Sequence, residues 1–450
     1  MAEKHKELGT ANIKYLLLKL SVPSMLAMFG NAIYNIVDTI FVGRGIGALG
    51  IAGVAIVLPV MAIVSSFAHM IGIGTGTLIS RQLGRKQLDE VNRTAGNGFL
   101  MVIIVGLVFS VIGLLFTEQI MVLFGATPSI LPYAVEYSEV VFIGMLWFPF
   151  CVSSNNYLRA EGNARQAMTA MLLGFGVNVV LDYFFIFPLG MGMRGAALAT
   201  IIGKMATFVY LVFYFLQPHH VIKFQWHTLR LNKRIIKPSL SVGLSGFGMR
   251  SSSSFANVVL NHTLGALGGD MAIAVFGIVY KITLFFGMPL FGLMQGMQPI
   301  IGFNFGADNR ERIMRTIKLT FRYAIGYGVI AVVFFMLFAQ PIVGLFTLER
   351  EIIVEGTRVL RIVIAMMWLM GISHAIMGVH QAMGQSKASF VLAILRWVLL
   401  ITPLILILPN LFNLGLDGVW LAFPIADFVG AIVALIILYF TLKKKRIFQQ

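Results

Sequence analysis

The sequence is short of charge and nearly devoid of cysteine. Only 12% of its 450 residues are Asp, Glu, Lys or Arg, against about 25% in an average soluble domain, which excludes a water-soluble fold of this length. The single cysteine, Cys151, excludes an internal disulfide and any cysteine-based metal centre. The eight histidines form no HxxH or HxxxH pair, so a histidine metal centre is not expected. There is no GxxxxGK[ST] phosphate loop and no grouping of nucleophile, base and orienting residue. The chain is therefore expected to be neither an ATPase nor an enzyme, and to need no cofactor. A cleaved secretory signal is not expected either. Lys4, Lys6 and Lys14 precede an apolar stretch of about 28 residues, too long for a signal core.

What the chain has is apolar length. Its 58% apolar residues can supply about a dozen bilayer-crossing helices of about 20 residues each. Apolar runs between charged breaks predict twelve spans, at 14–42, 46–80, 94–116, 131–157, 162–187, 193–217, 236–263, 270–300, 317–339, 350–382, 386–408 and 415–441. The expected fold is an all-α polytopic membrane protein, and Pro23, Pro59, Pro149, Pro289 and Pro403 are its candidate kinks.

An even number of spans puts both termini on one side of the bilayer. That side carries 23 basic residues, from Lys4 to Arg446, against four on the other, Arg44, Arg194, Arg350 and Arg358. Basic loops stay in the cytoplasm, so both termini are expected there. The net charge of +16 is then a topology signal, and no nucleic-acid partner is expected.

Four marks recur in order along the chain. Gly47-Ala48-Leu49-Gly50 returns as Gly265-Ala266-Leu267-Gly268, and Leu83-Gly84 parallels Phe305-Gly306. Ala160-x-Gly162 parallels Ala382-x-Gly384, and Gly192-x-x-Gly195-x-x-Leu198-Ala199 parallels Gly415-x-x-Gly418-x-x-Leu421-Ala422. The shifts run from 218 to 223 residues. The chain is thus expected to be two pseudo-symmetric six-helix bundles of the same orientation, related by an axis along the membrane normal. Residues 1–217 and 236–450 form the two lobes, and 218–235, with His219, His220, Trp226 and Arg230, is a cytoplasmic connector. Two such bundles can rock about a central cleft, which points to a transporter.

Three acids, Asp38, Asp182 and Asp427, fall deep in spans. A carboxylate there costs at least about 2.5–3.5 kcal/mol, so each is a candidate for function, with a structural ion pair or a water-lined position near a helix end as the plain alternatives. Asn178 shares a helical face with Asp182, and Thr200 lies on the next helix. If Asp38 converges on them, two carboxylates, an amide oxygen and a hydroxyl suit a hard cation such as Na+. They suit H+ equally, since burial and a second nearby carboxylate both favour a protonated carboxyl. Asn31, Tyr34, Asn35 and Asp38 form a polar stripe on span one, with Pro23 about four turns away, where it is either a hinge or a static kink. Lys204 is either a counter-charge for Asp182 or a side chain snorkelling to the interface; Arg250 and Lys281 carry the same two readings. Flexible thioethers suit a cavity that takes varied apolar ligands. Met28, Asn31, Tyr34, Asn155, Met171, Lys204 and Met205 are expected in such a cavity, with Met61, Met168, Met288, Met294, Met297, Gln295 and Gln298 as further candidates.

These residues resemble the multidrug and toxic compound extrusion (MATE) family, in its DinF-like prokaryotic branch. The likeness covers essentially the whole chain: two six-helix halves, Pro23 and Asp38 on span one, Leu83-Gly84, the turn Arg159-Ala160-Glu161-Gly162-Asn163, and Asn178, Asp182 and Thr200. It implies that Asp38, Asn178, Asp182 and Thr200 form a cation-coupling site. It also implies secondary active export, by alternating access, of amphipathic and often cationic drugs or toxic organic compounds from a prokaryotic cell, in exchange for H+ or Na+. A monomer in the cytoplasmic membrane is expected. Where the NorM-like and eukaryotic branches carry acids on spans seven and ten, this chain has Arg250, Asn257 and Asn261 on span seven, and only Glu351 and Glu355 at the outer end of span ten. Ion and cationic drug would then compete for the first-half carboxylates. The alternative is a flippase for a lipid-linked precursor. An anionic headgroup would call for a cavity rich in Arg and Lys, for which only Lys204, Arg250, Lys281 and Arg396 are candidates.

Overall fold

The computed structural model describes residues 4–217 and 220–445. Residues 218 and 219, the start of the expected connector and including His219, lie outside them, as does Arg446. Among the described residues nine helices are long and apolar enough to cross a membrane. One of them, Lys233–Gly306, is two crossings joined at Gly269. The φ of 62° and ψ of −157° there are open essentially to glycine alone. Two further crossings are bent pairs of helices, which brings the number to twelve.

In chain order these are α1 (Ile13–Gly45), α2 (Ala48–Gly84), α3 (Leu88–Leu115), α4 (Leu131–Gly144 with Phe148–Ala160), α5 (Ala164–Ile186) and α6 (Gly192–Leu216). The second half repeats them as α7 (233–268), α8 (270–306), α9 (Arg310–Leu337), α10 (Arg350–Ile364 with Met367–Ala382), α11 (Ser386–Ile407) and α12 (Leu416–Lys444). The protein is an all-α membrane fold of two pseudo-symmetric six-helix bundles. Short helices at Thr117–Leu123 and Ala339–Gly344 follow α3 and α9, adding another mark to the repeat.

The bends have separate local causes. In α4 the chain turns by 49° just ahead of Pro149, which cannot donate to the preceding turn. The equivalent helix α10 bends by 42° without a proline, through one tight turn at Met367–Leu369. Ahead of Pro403, α11 widens over Leu395–Ile401, and the Thr402 hydroxyl donates to the Trp397 carbonyl at 2.8 Å. Pro23, Pro59 and Pro289 lie within unbroken helices, so three of the five candidate kinks break nothing.

The two halves meet tightly at the end that bears the termini. A Cβ on Gly74 of α2 would lie 1.8 Å from the Ser239 carbonyl oxygen of α7, and one on Gly243 would lie 1.8 Å from that of Met70. Gly84 and Gly306 make the same kind of approach between α2 and α8. A short helix, Lys4–Thr10, straps this end: Asn304 and Arg312 donate to the Leu8 carbonyl at 2.9 and 3.2 Å. The connecting segment is held on α3 by the backbone N–H groups of Lys223 and Asn232, which donate to Asn92 and Asn97 at 2.8 and 2.7 Å.

Toward the opposite end the halves part. The first half there closes on a core of its own, which includes Val42, Val57, Tyr137, Ile186 and Met193 and takes in no second-half residue. Large apolar side chains face outward around the bundle, Ile330 at 72% and Phe440 at 63% exposure among them. Such a surface is stable against hydrocarbon and not against water.

Candidate functional site

The parting of the halves leaves the first-half bundle with a polar cluster buried near its far end. Asp38 comes from α1, Asn178 and Asp182 from successive turns of α5, and Thr200 from α6, and all four are buried. The tight Gly190 and Gly192 turn between α5 and α6, with φ of 60° and 57°, folds Thr200 back beside Asn178, whose amide donates to it at 3.5 Å. Asp38 and Asp182 lie within electrostatic reach of each other. Asp38 Oδ1, Asn178 Oδ1 and both Asp182 oxygens are buried without a donor. Two carboxylates side by side in a low-dielectric site cannot both remain ionised without compensation. The chemistry of this set fits a proton or a small hard cation that coordinates oxygen.

Two tyrosines complete the surroundings. Tyr34 of α1 stacks on Phe175 with ring centroids 5.1 Å apart, and it lies within electrostatic reach of Asp38 and Asp182. Tyr137 of α4 reaches the same two carboxyls. Sequence reasoning missed Tyr137, because nothing in α4 marks one tyrosine among apolar neighbours as facing another helix.

Between the halves lies a cavity of about 630 Å³, in the size range that encloses a drug-sized molecule. Of the residues expected to line it, Met28, Asn31, Asn155, Met171 and Lys204 do so, as do Met288, Met294, Gln295 and Gln298, whereas Met61, Met168 and Met297 do not. Tyr34 does not, being packed on Phe175 beside the carboxyl pair. Met205 is corrected outright: it stays outside the cavity and is 48% exposed. One helical position turns a side chain by about 100°, which separates it from Lys204.

Asp38 and Asp182 do not line this cavity in the state described, so the residues expected to bind the ion and those that line the cavity are separate sets here. Lys204 stands between the two sites. Its ammonium lies 5.3 to 5.7 Å from the ring centroids of Tyr34, Phe148 and Phe175, lines the cavity, and acts on the charge of Asp38. An ammonium on the cavity wall does not snorkel to the interface, and this one lies within electrostatic reach of Asp38 without forming an ion pair with it.

Three more cations reach the cavity wall. Arg250 of α7 donates to His69 Nε2 of α2 at 3.1 Å across the two halves, while His69 Nδ1 is 2.9 Å from the Ser65 carbonyl. Both contacts are satisfied by a neutral imidazole that carries its proton on Nδ1. Arg159, counted from sequence among the loop bases, lines the cavity instead, as does Arg396. Lys281 is exposed and takes no part. Arg396 holds Asp427 through bonds of 2.5 and 3.3 Å, so Asp427 is half of an ion pair. Arg159 and His69 were illegible as cavity residues, because an arginine beside a loop reads as topology and a lone histidine reads as packing.

Comparison with known proteins fits this geometry. The MatE family model matches residues 23–184 and again 248–407, once in each half. Multidrug export protein MepA of Staphylococcus aureus (strain N315) is 30% identical over 423 residues, which is 94% of this chain and 93% of that protein. The crystal structure of a MATE in the bent conformation superposes with a TM-score of 0.93 at 27% identity, over 99% of each chain. The MATE multidrug transporter DinF-BH, solved in complex with rhodamine 6G, superposes with a TM-score of 0.89 at 37% identity, over 96% of this chain and 97% of that one.

Proposed function

Because the chain belongs to the MATE family, we propose that it is a secondary active exporter of amphipathic compounds. It works in the cytoplasmic membrane of a prokaryotic cell as a monomer, and exchanges its cargo for H+ or Na+ at Asp38, Asn178, Asp182 and Thr200. The observation that carries the ion site is the set of buried carboxylate and amide oxygens without donors in the first half. Relatives that export multiple drugs, and a relative that binds rhodamine 6G in the same fold, support an organic cargo.

The excess of basic residues at the terminal end supports a cytoplasmic position for that end. The state described, sealed at the terminal end by the glycine contacts of α2, α7 and α8, then faces outward. Ion and cargo act on each other through Lys204. Binding of a cation at the carboxyl pair removes the negative charge that holds the ammonium in place, so the cavity feels ion occupancy without sharing a ligand. Pro23 leaves the carbonyl one turn before it without a backbone donor, which makes α1 the element that bends as Asp38 changes charge.

The test is efflux of a panel of fluorescent organic compounds, from cationic rhodamine 6G to neutral and anionic dyes, from proteoliposomes under an imposed Na+ gradient and, separately, an imposed pH gradient. At least one gradient should drive efflux, and that gradient names the ion. Efflux that neither gradient changes would overturn the reading.

A further inference from the structure

The cavity carries the charge of its cargo's opposite. Its wall presents four cationic side chains, Arg159, Lys204, Arg250 and Arg396, and a single acid, Asp427. That acid is already bound to Arg396. Among the described residues, Arg159, Lys204 and Arg250 have no carboxylate within ion-pair distance. A cation drawn into this space meets like charge; an anion meets Arg159 and Arg250, which unlike Lys204 have no acid to balance them.

We propose that the cargo of this cavity is an acidic amphiphile, with a carboxylate, sulfonate or phosphate head and an apolar body. This rests on the reading of the chain as an exporter and names the class of compound exported. The head belongs at Arg159 and Arg250. Arg159 has a buried Nε without a partner, and its Nη2 meets only the Met171 sulfur, at 3.7 Å. Arg250 gives one N–H to neutral His69. Both guanidinium groups line the same cavity, and Arg250 meets His69 there. Planar forks of N–H donors match the paired oxygens of a carboxylate or phosphate, and neither arginine has a carboxylate partner until an anion enters. Gln295 and Gln298 extend the polar rim. The apolar body is taken by the thioethers and rings of the second half, such as Met288, Phe291, Met370 and Phe423, which adapt to varied shapes. Outward movement of an anion also runs down the potential of a cell that is negative inside.

The test measures binding, so it stands apart from whether the protein transports. The full chain is placed in phosphatidylcholine nanodiscs and titrated with dansyl-undecanoic acid, its neutral amide, and a trimethylammonium analogue of the same tail. The acid should bind at least about tenfold tighter than the amide, from charge-assisted bonds to the two arginines, and the ammonium weaker than the amide. Arg159→Gln with Arg250→Gln should erase the preference, bringing the acid to the affinity of the amide, while an unchanged size-exclusion profile and far-UV circular dichroism spectrum show that the variant is folded. Arg159→Lys with Arg250→Lys should restore it in part. Equal binding of acid and amide, or tighter binding of the ammonium, would overturn the proposal even if gradient-driven export of rhodamine 6G were found. Phosphatidylglycerol nanodiscs separate the sources. Competition with the dansyl acid identifies a lipid headgroup as the natural anion, and lack of competition identifies a soluble acid; either supports an anionic cargo.

Discussion

Lys204 and Asp427 occupy the same place in the two halves. The 223-residue shift that carries Gly192 to Gly415 carries Lys204 to Asp427, and both side chains face the one central cavity. Their charges are opposite, and so is the company each keeps. Lys204 stands over the aromatic rings beside Asp38 and Asp182, a cluster with one more formal negative charge than positive. Asp427 is bound by Arg396 and is balanced. A balanced pair needs nothing from outside, whereas an unbalanced buried carboxylate needs a mobile cation. On the proposed reading, one fold repeated twice holds an ion-responsive half and an internally satisfied half, and the lack of acids on α7 and along most of α10 agrees with that division.

The strongest test of the comparison is to neutralise acids in each half. Asp38→Asn or Asp182→Asn should reduce gradient-driven efflux to the liposome background while the protein still inserts. Asp427→Asn should leave efflux coupled to the gradient. The reverse outcome would place the ion in the second half. Next in size is stability. Asp427→Ala strands Arg396 in the cavity wall and should cost about 3 kcal/mol in unfolding titrations in mixed detergent. Asp427→Leu combined with Arg396→Met should recover most of it. If the single variant is as stable as the parent, the pair contributes nothing and the halves differ less than described. Smaller again is the effect of Lys204→Gln. Removing the positive charge beside Asp38 should tighten cation binding at the carboxyl pair several-fold, read as a lower half-saturating concentration of the driving ion. A weaker site would mean that Lys204 orders the carboxylates instead of opposing the cation.

The crossings were legible because membrane insertion writes itself locally: an apolar run between charges can do little else. All twelve predicted spans correspond to helices, and the glycine run at 265–269 holds the turn between α7 and α8. Asp38 and Asp182 were legible for the same reason, as charges where none should be. Whether a side chain faces cavity, neighbour or lipid is set by helix rotation, and helices this uniformly apolar carry little record of it. Hence Arg159 reads as a loop base and Tyr137 as packing. The bend in α10 is invisible too, since no proline marks it.

Rotation of α6 can be tested with two methionines, Met205 next to Lys204 on α6 and Met171 on the neighbouring α5. Met205 is 48% exposed and lies outside the cavity, so Met205→Ala trades contacts with lipid for other contacts with lipid. Such outward substitutions change stability by less than about 0.5 kcal/mol, or about twofold in a binding constant, and efflux should stay within that range. Met171 lines the cavity, and its sulfur meets Arg159 at 3.7 Å. Met171→Ala removes both an adaptable wall and a contact that positions the arginine, and should raise the concentration of probe needed for half-maximal efflux by more than the Met205 change does. Equal effects of the two would mean that α6 is rotated from the orientation described, and with it Lys204, the residue on which the difference between the halves turns.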